Sequence, residues 1–203
     1  MKRNVFVAAL ALAFGLALSA QDQGAGLRKA IFADDSSRIS ALISSKAAVN
    51  STTAEGVTPL MIAAGLGKTA VVKSLIAAGA PVDVQTTKDK LTALFFAADF
   101  ENLDAARALA EAGASVKATD VNGYSAIDYA IIGHVGLDGT MQNRNTERGK
   151  AVILFLNSKG AKPKKDEKGL GVDVGNALGN LMAIGSQADL KELLDKAKAE
   201  QPR

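Results

Sequence analysis

One histidine, His134, and no cysteine bound the side-chain chemistry open to this chain of 203 residues. Thiolate catalysis and a Cys/His zinc site both need residues that are missing. A Ser-His-Asp relay would have to be built on His134, and no nucleophile-elbow glycine pattern is there to present the serine. Gly65-Leu66-Gly67-Lys68-Thr69 has the flavour of a phosphate loop, but no full G-x-x-x-x-G-K-[ST] motif is present. Asp138-Gly139 suggests a calcium loop, yet the acidic ligands at alternate positions are absent. The inventory therefore predicts no catalytic residue, no metal ligand and no cofactor. The function has to come from a surface.

The elements that would carry such a surface recur along the chain. Thr58-Pro59-Leu60-Met61-Ile62-Ala63-Ala64 returns as Thr92-Ala93-Leu94-Phe95-Phe96-Ala97-Ala98 after 34 residues, and as Ser125-Ala126-Ile127-Asp128-Tyr129-Ala130 after another 33. Gly79-Ala80 and Gly113-Ala114 follow the first two copies at one fixed distance. A period of this length means an array of like supersecondary units. Within a unit, Pro suits the first turn of a helix and Thr58 can cap its free amides. Leu60, Ala63 and Ala64 form one helical stripe; Val71, Val72, Leu75 and Ile76 form a second. Gly65 and Gly67 separate the two helices and Gly79 ends the second. Pro81 to Val84 is expected to be extended, and Thr86 to Lys90 to turn.

These motifs resemble the ankyrin repeat. Thr-Pro-Leu-Met-Ile-Ala-Ala-Gly-Leu-Gly-Lys from Thr58 is similar to the family's T-P-L-H-x-A-A-x-x-G-H, and Val71 to Ala80 is similar to its second helix and Gly-Ala ending. The resemblance implies an all-α ankyrin-repeat solenoid of about five helix-turn-helix units with projecting β-hairpin loops. The expected units are 21–52 (a polar N-terminal cap), 53–86, 87–119, 120–168 and 169–203 (a charged C-terminal cap). Lys90 and Glu101 stand where the family prefers Gly, which implies an altered hairpin and helix end in the third unit. The fourth unit is longer: Gly113 to Gly160 spans 47 residues against 34 from Gly79 to Gly113. A polar insert is expected over 135–148, between the unit's two helices, with His134 at its edge.

Ahead of the array, Lys2 and Arg3 precede the uncharged apolar run Val5–Leu18, followed by Ser19 and Ala20. This is the pattern of a secretory signal peptide, expected over 1–20. The run of 14 residues is short for a membrane span, which needs about 20. The leader holds two of the 24 basic residues and none of the 21 acids, so the remainder is near +1. So small an excess argues against a nucleic-acid partner. The expectation is an exported monomer without a membrane span after cleavage, periplasmic if the source has two membranes and otherwise secreted.

The resemblance implies that a protein partner docks on the concave face, made by hairpin tips and first-helix ends. Carried over position by position, that face comprises Glu55, Val57 and Leu66; Lys88, Asp89, Leu91, Asp99 and Phe100; then Val121, Asn122, Tyr124, Ile132 and His134. Phe100 and Tyr124 are the expected aromatic anchors. An alternative is a periplasmic accessory factor that supports a haem-containing, peroxide-detoxifying enzyme such as a catalase, with His134 as the imidazole.

Overall fold

The computed structural model describes residues 23–132 and 147–164. The expected leader at 1–20, His134, most of the insert and the expected fifth unit lie outside that range. The described residues hold α1 (23–33), α2 (Ser36–Ile43), α3 (Lys46–Val49), α4 (Pro59–Gly65), α5 (Thr69–Ala77), α6 (Ala93–Asp99), α7 (Leu103–Glu111), α8 (Ala126–Ile132) and α9 (Glu147–Ser158). The first helices α4, α6 and α8 pack side by side in one layer. The second helices α5, α7 and α9 form the other, each against its own unit's first helix.

Repetition of sequence becomes repetition of packing. Leu60, Leu94 and Ile127 occupy equivalent positions and are all buried. Leu75, Leu109 and Leu156 do the same in the second layer. Leu156 falls 47 residues after Leu109, whereas Leu109 falls 34 after Leu75. The extra length of the fourth unit thus leaves the register of its core unchanged. Alanines at Ala63, Ala64, Ala97, Ala98, Ala105 and Ala106 are buried too, so short side chains let neighbouring helices approach. With four per cent aromatic residues in the chain, aliphatic area supplies most of the hydrophobic stabilisation.

Helix starts differ in a graded way. Thr58 caps α4 as expected: its hydroxyl accepts from the Met61 N–H at 3.1 Å, and its own N–H donates to Met61 Sδ at 3.4 Å. Asp128 takes the Met61 place in α8, and its carboxylate accepts from both the N–H and the hydroxyl of Ser125, at 2.7 and 2.8 Å. That is the reciprocal half of a capping box. Phe95 takes the same place in α6 and can accept nothing, and the buried Thr92 hydroxyl has no partner.

Two expectations need adjustment. Helix α9 begins at Glu147, so Glu147 and Arg148 are helical and do not belong to the insert. The Lys150 ammonium bonds Glu147 Oε1 at 2.8 Å one turn away, which supports that extra start. The projecting loops are hairpin-like turns, and among the described residues the pairing is a single antiparallel bridge, Thr119 with Ser125. Their closure relies on bonds such as Thr53 N–H to Val57 O, Thr86 N–H to Leu91 O and Asp120 N–H to Tyr124 O.

Candidate functional site

The candidate surface is built from two kinds of chain reversal. At the hairpin tips, Gly56, Lys90 and Gly123 all have positive φ: 79°, 58° and 81°. At the ends of the first helices, Asp34, Gly67 and Glu101 do the same, at 58°, 67° and 57°. Glycine enters this region freely and other residues at a cost. The backbone is therefore identical in kind where Lys90 and Glu101 replace Gly, and the expected alteration of the third unit is in strain, not in path. Gly67 has a second reason to be glycine, since a Cβ there would sit 2.6 Å from Asn102 Oδ1.

Each unit holds the one before it. The Asn102 amide donates to Ala64 O and Gly65 O at 2.9 and 2.8 Å, satisfying Gly65 O and adding a donor to Ala64 O, which also accepts the Gly67 N–H at 3.2 Å. Lys68, one unit earlier, pairs with the Asp34 carboxylate. The tips are joined as well: the Thr87 N–H donates to Glu55 O at 2.9 Å, and the Val121 N–H to Asp89 O at 3.2 Å. A polar knot underlies the fourth tip. Asp120 Oδ1 accepts from the N–H groups of Asn122 and Tyr124 at 2.8 Å each, and Oδ2 accepts from the Tyr129 hydroxyl at 3.1 Å. Burial foremost, then the Asp120 charge, pushes the Tyr129 phenol well above its usual pKa. The ring stands edge-on to Phe95 with centroids 5.1 Å apart. Glu55, at the second tip, is lowered, chiefly by a hydrogen bond from Thr53.

The residues expected on the docking face divide by exposure. Leu66, Phe100 and Val121 are 45, 46 and 50 per cent exposed. Glu55, Lys88, Asp89 and Asn122 are exposed at the tips. Val57 and Leu91 are half-buried and pack against the core. Asp99 is 9 per cent exposed, because it ends α6 where α8 packs beside it, close enough for its charge to act on Tyr129. Tyr124 is half-buried, with the Lys164 ammonium 4.4 Å from its ring centroid. Ile132 ends α8, and His134 lies outside the described residues.

Phe32 is a further exposed aromatic, at 64 per cent, near the end of α1. The register that relates Asp99 to Ile132 also places Phe32 in that row, two units before Asp99. The weak match of the first unit to the others conceals it. Leu66 and Phe100 stand one residue further on in the register, so each of three successive first helices carries one exposed apolar group near its end. Phe100 leans back across the junction: a methyl group on Gly65 would meet its ring at 3.6 Å. Among the described residues no group of three or more His, Cys, Asp or Glu side chains is placed to hold a metal ion. No described helix is long and apolar enough to cross a membrane.

A family model described as ankyrin repeats (3 copies) matches residues 27–120 and 64–136, which together span more than half of the chain. The protein belongs to the ankyrin-repeat family. Its repeats are protein–protein interaction modules of all-α solenoid architecture. The chain is also 29% identical over 155 residues to the phosphocholine transferase AnkX of Legionella pneumophila. That match covers 68% of this chain and 16% of AnkX, so the chain spans a small part of that relative's length.

Proposed function

We propose that this ankyrin-repeat protein is an exported, non-catalytic binding module that docks a partner protein on the face formed by its hairpin tips and first-helix ends. The exposed apolar groups Phe32, Leu66 and Phe100, one near each of three successive first-helix ends, carry the reading. Three large apolar groups held open at successive helix ends cost solvation in the free protein, and burial under a partner recovers it. The ties at the helix ends, Asn102 to Ala64 and Gly65 and Lys68 to Asp34, preorganise the row of first-helix ends, which lowers the ordering cost of binding there. The leader pattern at 1–20 supports export. AnkX's transferase activity is not carried over, because the chain matches 16% of that protein.

The test is affinity capture from an envelope extract with the wild-type chain and with Leu66→Ala/Phe100→Ala. A partner that elutes from the first and is lost, by tenfold or more, from a folded second supports the face. Equal recovery from both removes it. Mass spectrometry of the cell-derived protein checks export: a mass beginning near residue 20 is expected, and an uncleaved leader contradicts it.

A further inference from the structure

Successive units meet at the segment that follows each Gly-Ala pair, a turn over Pro81 to Val84 where the sequence predicts extended chain, and the contact there changes along the array. Asp83 and Ser115 show the contact with an acid in place: Asp83 Oδ1 and Oδ2 accept the Ser115 N–H at 3.0 and 3.3 Å. One junction earlier, Pro81 stands in the Ser115 position and has no N–H to satisfy. One junction later, the register puts Lys117 in the place of Asp83 and Lys162 in the place of Ser115. The acceptor has been replaced by a cation, and the Lys162 N–H makes no hydrogen bond among the described residues.

The two lysines line one cleft of about 310 Å³, together with Thr119, Ser125, Asp128 and Lys164. Lys117 and Lys162 are exposed and make no ion pair among the described residues. The Lys164 ammonium is held at 2.8 Å by Asn122 O and lies over the Tyr124 ring, and neither contact neutralises its charge. Asp128 is the opposing charge. It is 4 per cent exposed, and its oxygens are occupied by the Ser125 N–H and hydroxyl and by the Lys164 N–H at 2.7 Å. Three lysines and one saturated carboxylate therefore line the cleft, around a backbone donor whose equivalent one unit back holds an aspartate.

We propose that this cleft binds a carboxylate from an acidic segment of a bound polypeptide, which takes the place that Asp83 fills one junction earlier. The carboxylate would accept the Lys162 N–H and pair with Lys117 and Lys162, a charge-assisted arrangement stronger than a neutral one. Thr119 offers a hydroxyl donor beside it, while the Ser125 hydroxyl stays committed to Asp128. The inference rests on the protein-binding reading for the source of the carboxylate only.

The experiment is a ¹H–¹⁵N titration of the purified full chain with N-acetylated, amidated hexaglutamate, with hexaglutamine as control and inorganic phosphate as a separate arm at matched ionic strength. Saturable shifts of the Lys117, Thr119 and Lys162 amides with hexaglutamate alone are the expected result. Lys117→Asp refills the place from within. Its Lys162 amide should move downfield without ligand, and its hexaglutamate affinity should fall at least tenfold. Lys162→Gln, which keeps the backbone donor, should weaken binding by a smaller factor. Equal shifts with hexaglutamine, unchanged affinity in Lys117→Asp, or phosphate binding as tightly as the peptide each overturn the proposal. Leu66→Ala/Phe100→Ala should bind hexaglutamate as wild type does, so loss of the apolar face and loss of the cleft read out separately.

Discussion

The second and third units have the same path and different residues at its sharpest points. Gly56, Gly67 and Gly79 punctuate the second; Lys90, Glu101 and Gly113 punctuate the third. All six have positive φ. Left to itself, a lysine or glutamate avoids that region, where crowding of its Cβ costs about 1–2 kcal/mol. The packed neighbours must therefore impose the turn, and local preference yields. Glycine is a convenience at some positions of this repeat and a steric requirement at others.

Substitutions at the glycines separate those cases. Gly67→Ala should have the largest effect, about 3 kcal/mol of lost stability by urea denaturation, because strain adds to the clash with Asn102. Gly79→Ala shares the positive φ, but nothing lies within 4 Å of its would-be Cβ. A loss of about 1 kcal/mol is expected there. Equal losses at the two sites would show that the Asn102 contact is irrelevant.

Tyr129→Phe should cost about 1–2 kcal/mol, since it leaves the Asp120 carboxylate short of one donor under the fourth tip. The effect should depend on pH in a defined sense. The folded-state pKa is raised above the ordinary value of 10, so the native protein holds that proton more tightly than the unfolded chain does. The linked stability is complete below pH 10 and declines as the pH rises above it. Urea midpoints at pH 9 and pH 11 should therefore fall more in the wild type than in Tyr129→Phe. Parallel declines would remove the phenol from the account.

Lys90→Gly is the smallest change and has the opposite sign. Relief of strain should outweigh the entropy of the added glycine by about 0.5 kcal/mol, measured as a higher urea midpoint. A loss would mean that the Lys90 side chain contributes more to the third tip than its exposed position suggests.

The stripes Leu60–Ala63–Ala64 and Val72–Leu75, the Thr58 cap and the Gly79 ending can be read directly from residue types, because each reports on contacts within its own unit. The length of the fourth unit was visible for the same reason: Gly160-Ala161 restores the register. What escaped depends on the neighbour. Asp99 reads as an open helix end, and only the packing of α8 beside α6 buries it. Tyr124 reads as a free anchor until Lys164, 40 residues away, covers its ring. Glu147 and Arg148 read as insert because nothing in their type separates the first turn of α9 from polar loop. The Lys117–Lys162 pairing becomes visible only when the two junctions are laid over each other.

The backbone bonds between neighbouring fingers give the array a mechanical character. Glu55 to Thr87 and Asp89 to Val121 are single bonds, each contributing on the order of 1 kcal/mol net. The helices behind them are joined through whole buried faces. Spreading the fingers therefore meets little resistance, while shearing the helical layers meets a great deal. Such an object behaves as a comb with a rigid spine and yielding teeth. Widening the gap between two teeth breaks one amide contact and leaves the buried faces of the spine in register.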